Sequence, residues 1–129
     1  MREKIGFVLV LLMVVLQGFY AVYAYVDPSA FSVMRGTALV SAADSDWVKI
    51  YASRTLFVAL IAGVLLYLRN YRTIALLVIV GTVMPITDAW LAYQAQAPLI
   101  VVAKHIATVL YLVLTAAVLL PSKRKRYAK

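Results

Sequence analysis

The chain has few of the residues on which most catalytic and disulfide-stabilised sites depend. Among its 129 residues there is no cysteine, one histidine and five acidic side chains. The lack of cysteine excludes a disulfide framework, a thiolate metal site and a cysteine nucleophile. One histidine and a single acidic residue within the long apolar segments are too few ligands for a two-metal centre or a haem pair in one chain. No phosphate-binding glycine loop or nucleotide fingerprint is present, and we expect neither a metal nor a cofactor.

Charged residues are also scarce, and apolar residues are abundant. The chain is 14% charged and 65% hydrophobic, with a mean hydropathy of +0.93, whereas a soluble domain is usually about 45–50% apolar. A chain of 14.3 kDa cannot bury that excess in its own core. The composition excludes a soluble globular protein, and intrinsic disorder as well, because disorder needs low hydrophobicity. It predicts a protein whose main partner is the lipid bilayer.

Four apolar segments are long enough to cross a membrane, which takes roughly 20 helical residues. They cover residues 5–26, 47–68, 71–93 and 98–120. Each is a continuous apolar run without the alternation typical of barrel strands, so we predict helices. The sequence therefore predicts a single all-α domain, a four-helix transmembrane bundle. A signal peptide ending near Ala24 is the alternative for the first segment, but that run is long and tyrosines crowd the cleavage point.

The basic residues outside these segments are divided very unevenly between the two ends of the bundle. Arg35 is alone in the loops of one end, and nine basic residues lie at the other. These nine are Arg2, Lys4, Arg69, Arg72, Lys123, Arg124, Lys125, Arg126 and Lys129. Because cytoplasmic loops carry the excess of Lys and Arg, both termini are predicted to be cytoplasmic. We expect a multi-pass protein of the cell membrane, the inner membrane if the source is bacterial.

Two segments outside the spans carry further predictions. The first loop, residues 27–46, is long and is predicted to be extracytoplasmic. Within it Asp27-Pro28-Ser29 is typical of a helix start and Gly36 of a helix end, which predicts a short interfacial helix. The tail, residues 121–129, serves mainly as an orientation signal, and its residues Lys123, Arg124, Lys125 and Arg126 are expected to contact anionic lipid. Nucleic-acid binding is not expected of it.

Polar side chains of all four spans converge at one depth, in the extracytoplasmic half. Placing an ionisable group inside a span costs at least ~2.5–3.5 kcal/mol of free energy near the bilayer centre, so such a group is expected to have a structural or functional role. With a rise of ~1.5 Å per residue, these side chains lie roughly 8–14 Å below the extracytoplasmic interface. They are Gln17, Tyr20, Tyr51, Arg54, Asp88 and His105. Pro85, three residues before Asp88, is expected to bend the third span and free the carbonyl of Gly81.

Each charged residue of this layer has a structural interpretation beside a functional one. Arg54 and Asp88 form either a buried ion pair that fixes helix register or a pair of contacts to a ligand. His105 is either a neutral side chain bonded to a neighbouring helix or part of the same site. Lys104 is expected to extend towards the extracytoplasmic interface.

The pattern of the whole chain resembles a known family. A chain of this length with four spans, a proline early in its extracytoplasmic loop, an arginine early in the second span and Pro85-xx-Asp88 in the third is similar to the DUF4267 proteins. These look like relatives of the DUF4345 and DoxX-like four-helix membrane proteins. The resemblance implies the four-helix fold and points to Arg54, Pro85 and Asp88 as the matching positions. The family has no assigned reaction, so the resemblance implies no mechanism.

Four functions are compatible with the polar layer. The leading hypothesis is a binding protein that holds an amphipathic lipid, quinone or isoprenoid among these side chains. The second is an acid–base isomerase or cyclase in which Asp88 and His105 transfer protons and Arg54 stabilises negative charge. The third is a structural subunit of a membrane complex, in which the polar layer would be plugged. A small dimeric transporter ranks last, because no ionisable residue continues the path through the cytoplasmic half.

Overall fold

The structure is a computed structural model that describes residues 1–120. Over that range the chain is all helical. The helices are α1 (Arg2–Val26), α2 (Pro28–Arg35), α3 (Ser45–Tyr67), α4 (Tyr71–Gly81), α5 (Val83–Gln94) and α6 (Leu99–Leu119), with a 3-10 turn (Ala42–Asp44) before α3. The predicted lipid-binding residues of the tail, Lys123, Arg124, Lys125 and Arg126, lie outside the described residues.

Four helical segments are long and apolar enough to cross a membrane: α1, α3 with its preceding turn, α4 with α5, and α6. This confirms the predicted all-α, four-span architecture. Many large apolar side chains lie on the outside of the bundle, among them Leu12, Phe57 and Leu110, which are 56%, 63% and 66% exposed. Such a continuous apolar exterior is unfavourable in water and is the surface expected of a bundle surrounded by lipid.

Around the bundle, α3 lies next to α1, α1 lies next to α6, and α6 lies next to the third span, which consists of α4 and α5. The most extensive contact joins α1 to α3, and α6 packs against α1, α4 and α5. Four of the five buried residues of α3 are small, namely Ala52, Thr55, Ala59 and Ala62, and small residues allow two helices to approach closely in a membrane. Between α3 and α5 there is almost no direct contact. These two helices are therefore the sides of a gap in the bundle.

The third span is interrupted where the sequence predicts a bend. Helix α4 ends at Gly81 and α5 begins at Val83, with Thr82 between them. Pro85 has no N–H group to donate to the Gly81 carbonyl four residues earlier, so the regular helical ladder is broken at this point. The interruption makes α5, which carries Asp88, a separate helix.

The two ends of the bundle have different interiors. At the end away from α2, the core is mainly apolar and includes Val10, Ile74, Val78 and Leu112, with the hydroxyl of Tyr111 bonded to the Leu9 carbonyl of α1. At the other end, called here the α2 end, Phe31 packs with Ala24 and Ala52 and is surrounded by tyrosine rings. Polar side chains that connect different elements inside the bundle are concentrated at the α2 end.

Candidate functional site

The short helix α2 folds back onto the α2 end of the bundle because both of its ends are well defined. At its start, the Asp27 carboxylate accepts a hydrogen bond from the Ala30 N–H at 2.9 Å, and Pro28 occupies the first helical position. At its end, Gly36 has φ +90°, a left-handed conformation that favours glycine. A β-carbon on Gly36 would lie 2.9 Å from Val101 and 3.1 Å from Ala92. The end of α2 therefore packs closely against α5 and α6.

The face of α2 that turns inwards carries Phe31 and, one turn later, Arg35. Phe31 is 2% exposed, and its ring lies 5.5 Å from the ring of Tyr51 and 6.0 Å from that of Tyr20. Residues four apart lie on the same face of a helix, so burying the Phe31 ring also directs Arg35 into the bundle. The helix thus inserts a cation among three spans.

The Arg35 guanidinium forms an ion pair with Asp88 of α5. The two side chains are 14% and 28% exposed, respectively. The guanidinium also lies 5.5 Å from the ring centre of Tyr51 and 6.0 Å from that of Tyr20, within the range of cation–π attraction. Arg35 therefore connects α2 with α1, α3 and α5.

Two side chains of α6 bind the carbonyl groups at the end of α2. The Lys104 ammonium donates to the Met34 carbonyl at 2.6 Å, and His105 Nε2 lies 3.2 Å from the Arg35 carbonyl oxygen. A carbonyl oxygen can only accept, so Nε2 is the donor in the hydrogen bond of His105. A cation at a helix C-terminus is favourable because carbonyls concentrate partial negative charge there. Together these contacts hold α2 to α6.

The structure brings four of the six sequence-predicted residues to Arg35. Tyr20 and Tyr51 flank its guanidinium, Asp88 pairs with it, and His105 contacts its carbonyl. Gln17 is half-buried on α1 and forms no side-chain hydrogen bond within residues 1–120.

The pairing of Arg54 with Asp88 is corrected by the structure. Arg54 is exposed on α3 and forms no ion pair or hydrogen bond with any residue between 1 and 120. Asp88 pairs instead with Arg35 of the first loop. Depth along a helix does not fix which way a side chain points around it, and Arg54 points to the outside of the bundle.

Arg35 and Lys104 are the residues of this site that sequence reasoning missed. The sequence places Arg35 in a loop and predicts that Lys104 extends towards the interface, whereas the Arg35 side chain pairs with Asp88 and Lys104 binds the Met34 carbonyl. The signal for Arg35 lies in the pattern of α2. Phe31 is the largest apolar residue of that short helix, and Arg35 follows it by four positions.

A cavity of about 340 Å³ lies beside the ion pair, between α2, the loop that follows it, α3 and α5. Its apolar lining residues are Phe31, Ala38, Leu39, Val40, Trp47, Val48 and Leu91, and its polar ones are Ser32, Arg35, Thr37, Asp44, Tyr51 and Asp88. Tyr51 and Asp88 are thus the predicted site residues that line it. Within residues 1–120, no cluster of three or more His, Cys, Asp and Glu side chains could hold a metal ion.

Comparison with known proteins supports the resemblance seen in the sequence. The family model described as "Domain of unknown function (DUF4267)" matches residues 12–119, a range that includes α2, the cavity and the Arg35–Asp88 pair. No curated protein and no solved structure matches the chain significantly. Since the family model covers most of the sequence, the chain belongs to the DUF4267 family.

Proposed function

We propose that this protein binds an amphipathic, lipid-like molecule in the cavity at the α2 end. The observation that carries the proposal is the combination of an apolar lining with the Arg35–Asp88 pair at one side. Ligand sites are typically concave, mostly apolar and supplied with a few polar groups that fix orientation. The volume of about 340 Å³ is near the lower end of the usual ~300–1,000 Å³. A cavity of this size can hold the polar end of a lipid and the first part of its chain.

The position of the cavity supports a ligand that enters from the bilayer. Its sides are α3 and α5, two helices that have almost no direct contact with each other. Trp47 and Leu91, which line it from these two helices, are 72% and 46% exposed. A lipid chain can therefore extend from the cavity between α3 and α5 into the membrane. From the distribution of basic residues, we place this end of the bundle on the extracytoplasmic side.

The experiment is native mass spectrometry of the full chain purified in detergent from its membrane. The wild-type protein is expected to retain a lipid adduct. Leu91→Trp adds bulk to the cavity wall without removing a charged group and should lose at least nine-tenths of the adduct. Leu60→Trp is the matched control, because Leu60 is 60% exposed and does not line the cavity. Equal adducts in both variants, or no adduct in the wild type, would contradict the proposal.

A structural role in the membrane is the second candidate, and a specific contact favours it. Arg35 enters the polar layer and supplies partners to both Asp88 and His105. An acid–base enzyme needs these groups directed at a substrate, and the same contacts therefore weigh against the isomerase or cyclase hypothesis. If the protein serves only as a structural subunit, both tryptophan variants will behave as the wild type in lipid binding.

A further inference from the structure

The charged groups that line the cavity are mostly hydrogen-bond acceptors. The lining contains two carboxylates, those of Asp44 and Asp88, and one guanidinium, that of Arg35, which gives it a formal charge of −1. The guanidinium is already engaged by Asp88 and by two tyrosine rings, and only 14% of the Arg35 side chain is exposed. Asp88 is 28% exposed. A molecule in the cavity therefore meets the carboxylate of the pair more readily than its cation.

The second carboxylate, that of Asp44, can also accept further hydrogen bonds. Asp44 Oδ2 receives the N–H groups of Ser41 at 2.8 Å and Val40 at 3.1 Å, whereas Oδ1 receives no hydrogen bond from residues 1–120. The Ser32 hydroxyl, in contrast, already donates its proton to the Ser29 carbonyl at 2.8 Å. Of the remaining polar lining groups, the hydroxyls of Tyr51 and Thr37 can donate or accept. Arg35, the cation among these lining residues, is already paired with Asp88 and lies beside two tyrosine rings.

Building on the proposed function, we infer that the cavity selects lipids whose polar end is a hydroxyl or an amine. A hydroxyl donates to Asp88 or Asp44, and an ammonium forms stronger, charge-assisted bonds with the same carboxylates. A phosphate end would face two carboxylates in surroundings of low dielectric constant, where repulsion between like charges is weakly screened. Repulsion by these carboxylates would therefore discriminate against a phosphate end in favour of a hydroxyl or an amine, and other specific sites also reject the wrong partner by repulsion.

The test uses three probes that share one alkyl chain: oleyl alcohol, oleylamine and oleyl phosphate. Each is added at the same concentration to the delipidated full-length protein, and bound fractions are measured by native mass spectrometry. The alcohol and the amine are expected to bind at least tenfold better than the phosphate. Equal binding of all three, or preferential binding of the phosphate, would overturn the inference while leaving the proposed function standing. Failure of all three to bind would overturn both.

A charge-neutralising variant tests whether Asp88 sets this preference. Asp88→Asn frees the Arg35 guanidinium and raises the charge of the lining by one unit, so the ratio of bound amine to bound phosphate should fall at least tenfold. Asp46→Asn is the matched control, because Asp46 is exposed, pairs with Lys49 at 3.3 Å and lies outside the cavity. An unchanged ratio in Asp88→Asn would overturn the assignment. If that variant does not fold, Asp44→Asn should lower the ratio in the same direction, and no change there would overturn it.

Discussion

Replacing Arg35 with methionine keeps an unbranched apolar stem but removes the guanidinium and its charge. Asp88 is then left partly buried without its ion-pair partner. Breaking a buried ion pair costs about 3–5 kcal/mol, but the Asp88 side chain is 28% exposed, so water compensates part of the loss. We therefore expect about 2–3 kcal/mol from the pair. The guanidinium lies 5.5 and 6.0 Å from two tyrosine rings, and the loss of these contacts adds about 0.5–1 kcal/mol.

The assay is reversible unfolding in mixed lipid–detergent micelles, with near-ultraviolet circular dichroism as the readout of tertiary packing. Arg35→Met should lower the free energy of unfolding by about 3 kcal/mol, as the sum of the two terms. The matched control is Arg54→Met, which removes the same group from an exposed position and should stay within about 0.5 kcal/mol of the wild type. Equal losses in the two variants, or a larger loss for Arg54→Met, would refute the reasoning.

Three further predictions concern the end of α2, the orientation and the opposite half of the bundle. Gly36→Ala should lower the free energy of unfolding by about 1–3 kcal/mol in the same assay, because φ of Gly36 is +90° and the added methyl group meets three neighbouring side chains. Gly18→Ala is the control and should not destabilise the protein, because nothing lies within 4 Å of the added methyl group. Because the chain has no cysteine, the orientation can be tested with single-cysteine variants in intact cells. A membrane-impermeant maleimide should label the cysteine of Ala38→Cys and not that of Asn70→Cys, and the reverse pattern would contradict the proposed orientation. Tyr111→Phe removes a hydrogen bond to the backbone of α1 and should cost about 0.5–1.5 kcal/mol; an unchanged free energy of unfolding would exclude that contribution.

The four spans could be predicted because their signal is carried by whole segments. Each is a long apolar run, and a single misjudged residue does not change the conclusion. Helix α2 was also predicted, because Asp27, Pro28 and Gly36 act through local backbone chemistry that does not depend on the rest of the fold. The interruption near Pro85 has the same kind of local cause.

The partners within the site could be predicted only in part. Counting residues along each helix predicts that Tyr20, Tyr51 and Asp88 share one depth, and in the structure all three contact the Arg35 guanidinium. Which cation pairs with Asp88 depends on how each helix is rotated and on a loop that folds back into the bundle. The sequence presents Arg35 as a loop residue outside the membrane, and only the packing of Phe31 shows that its side chain enters the bundle.

The most direct test of the account is a double-mutant cycle that measures the coupling between Asp88 and each arginine. Arg35→Met, Asp88→Asn and the double variant give one coupling energy, and Arg54→Met with the same Asp88→Asn gives the other. The account predicts a coupling of about 1.5–3 kcal/mol for Arg35 with Asp88 and about zero for Arg54 with Asp88. A coupling that is absent for Arg35 and present for Arg54 would contradict the central claim that α2 supplies the partner of Asp88.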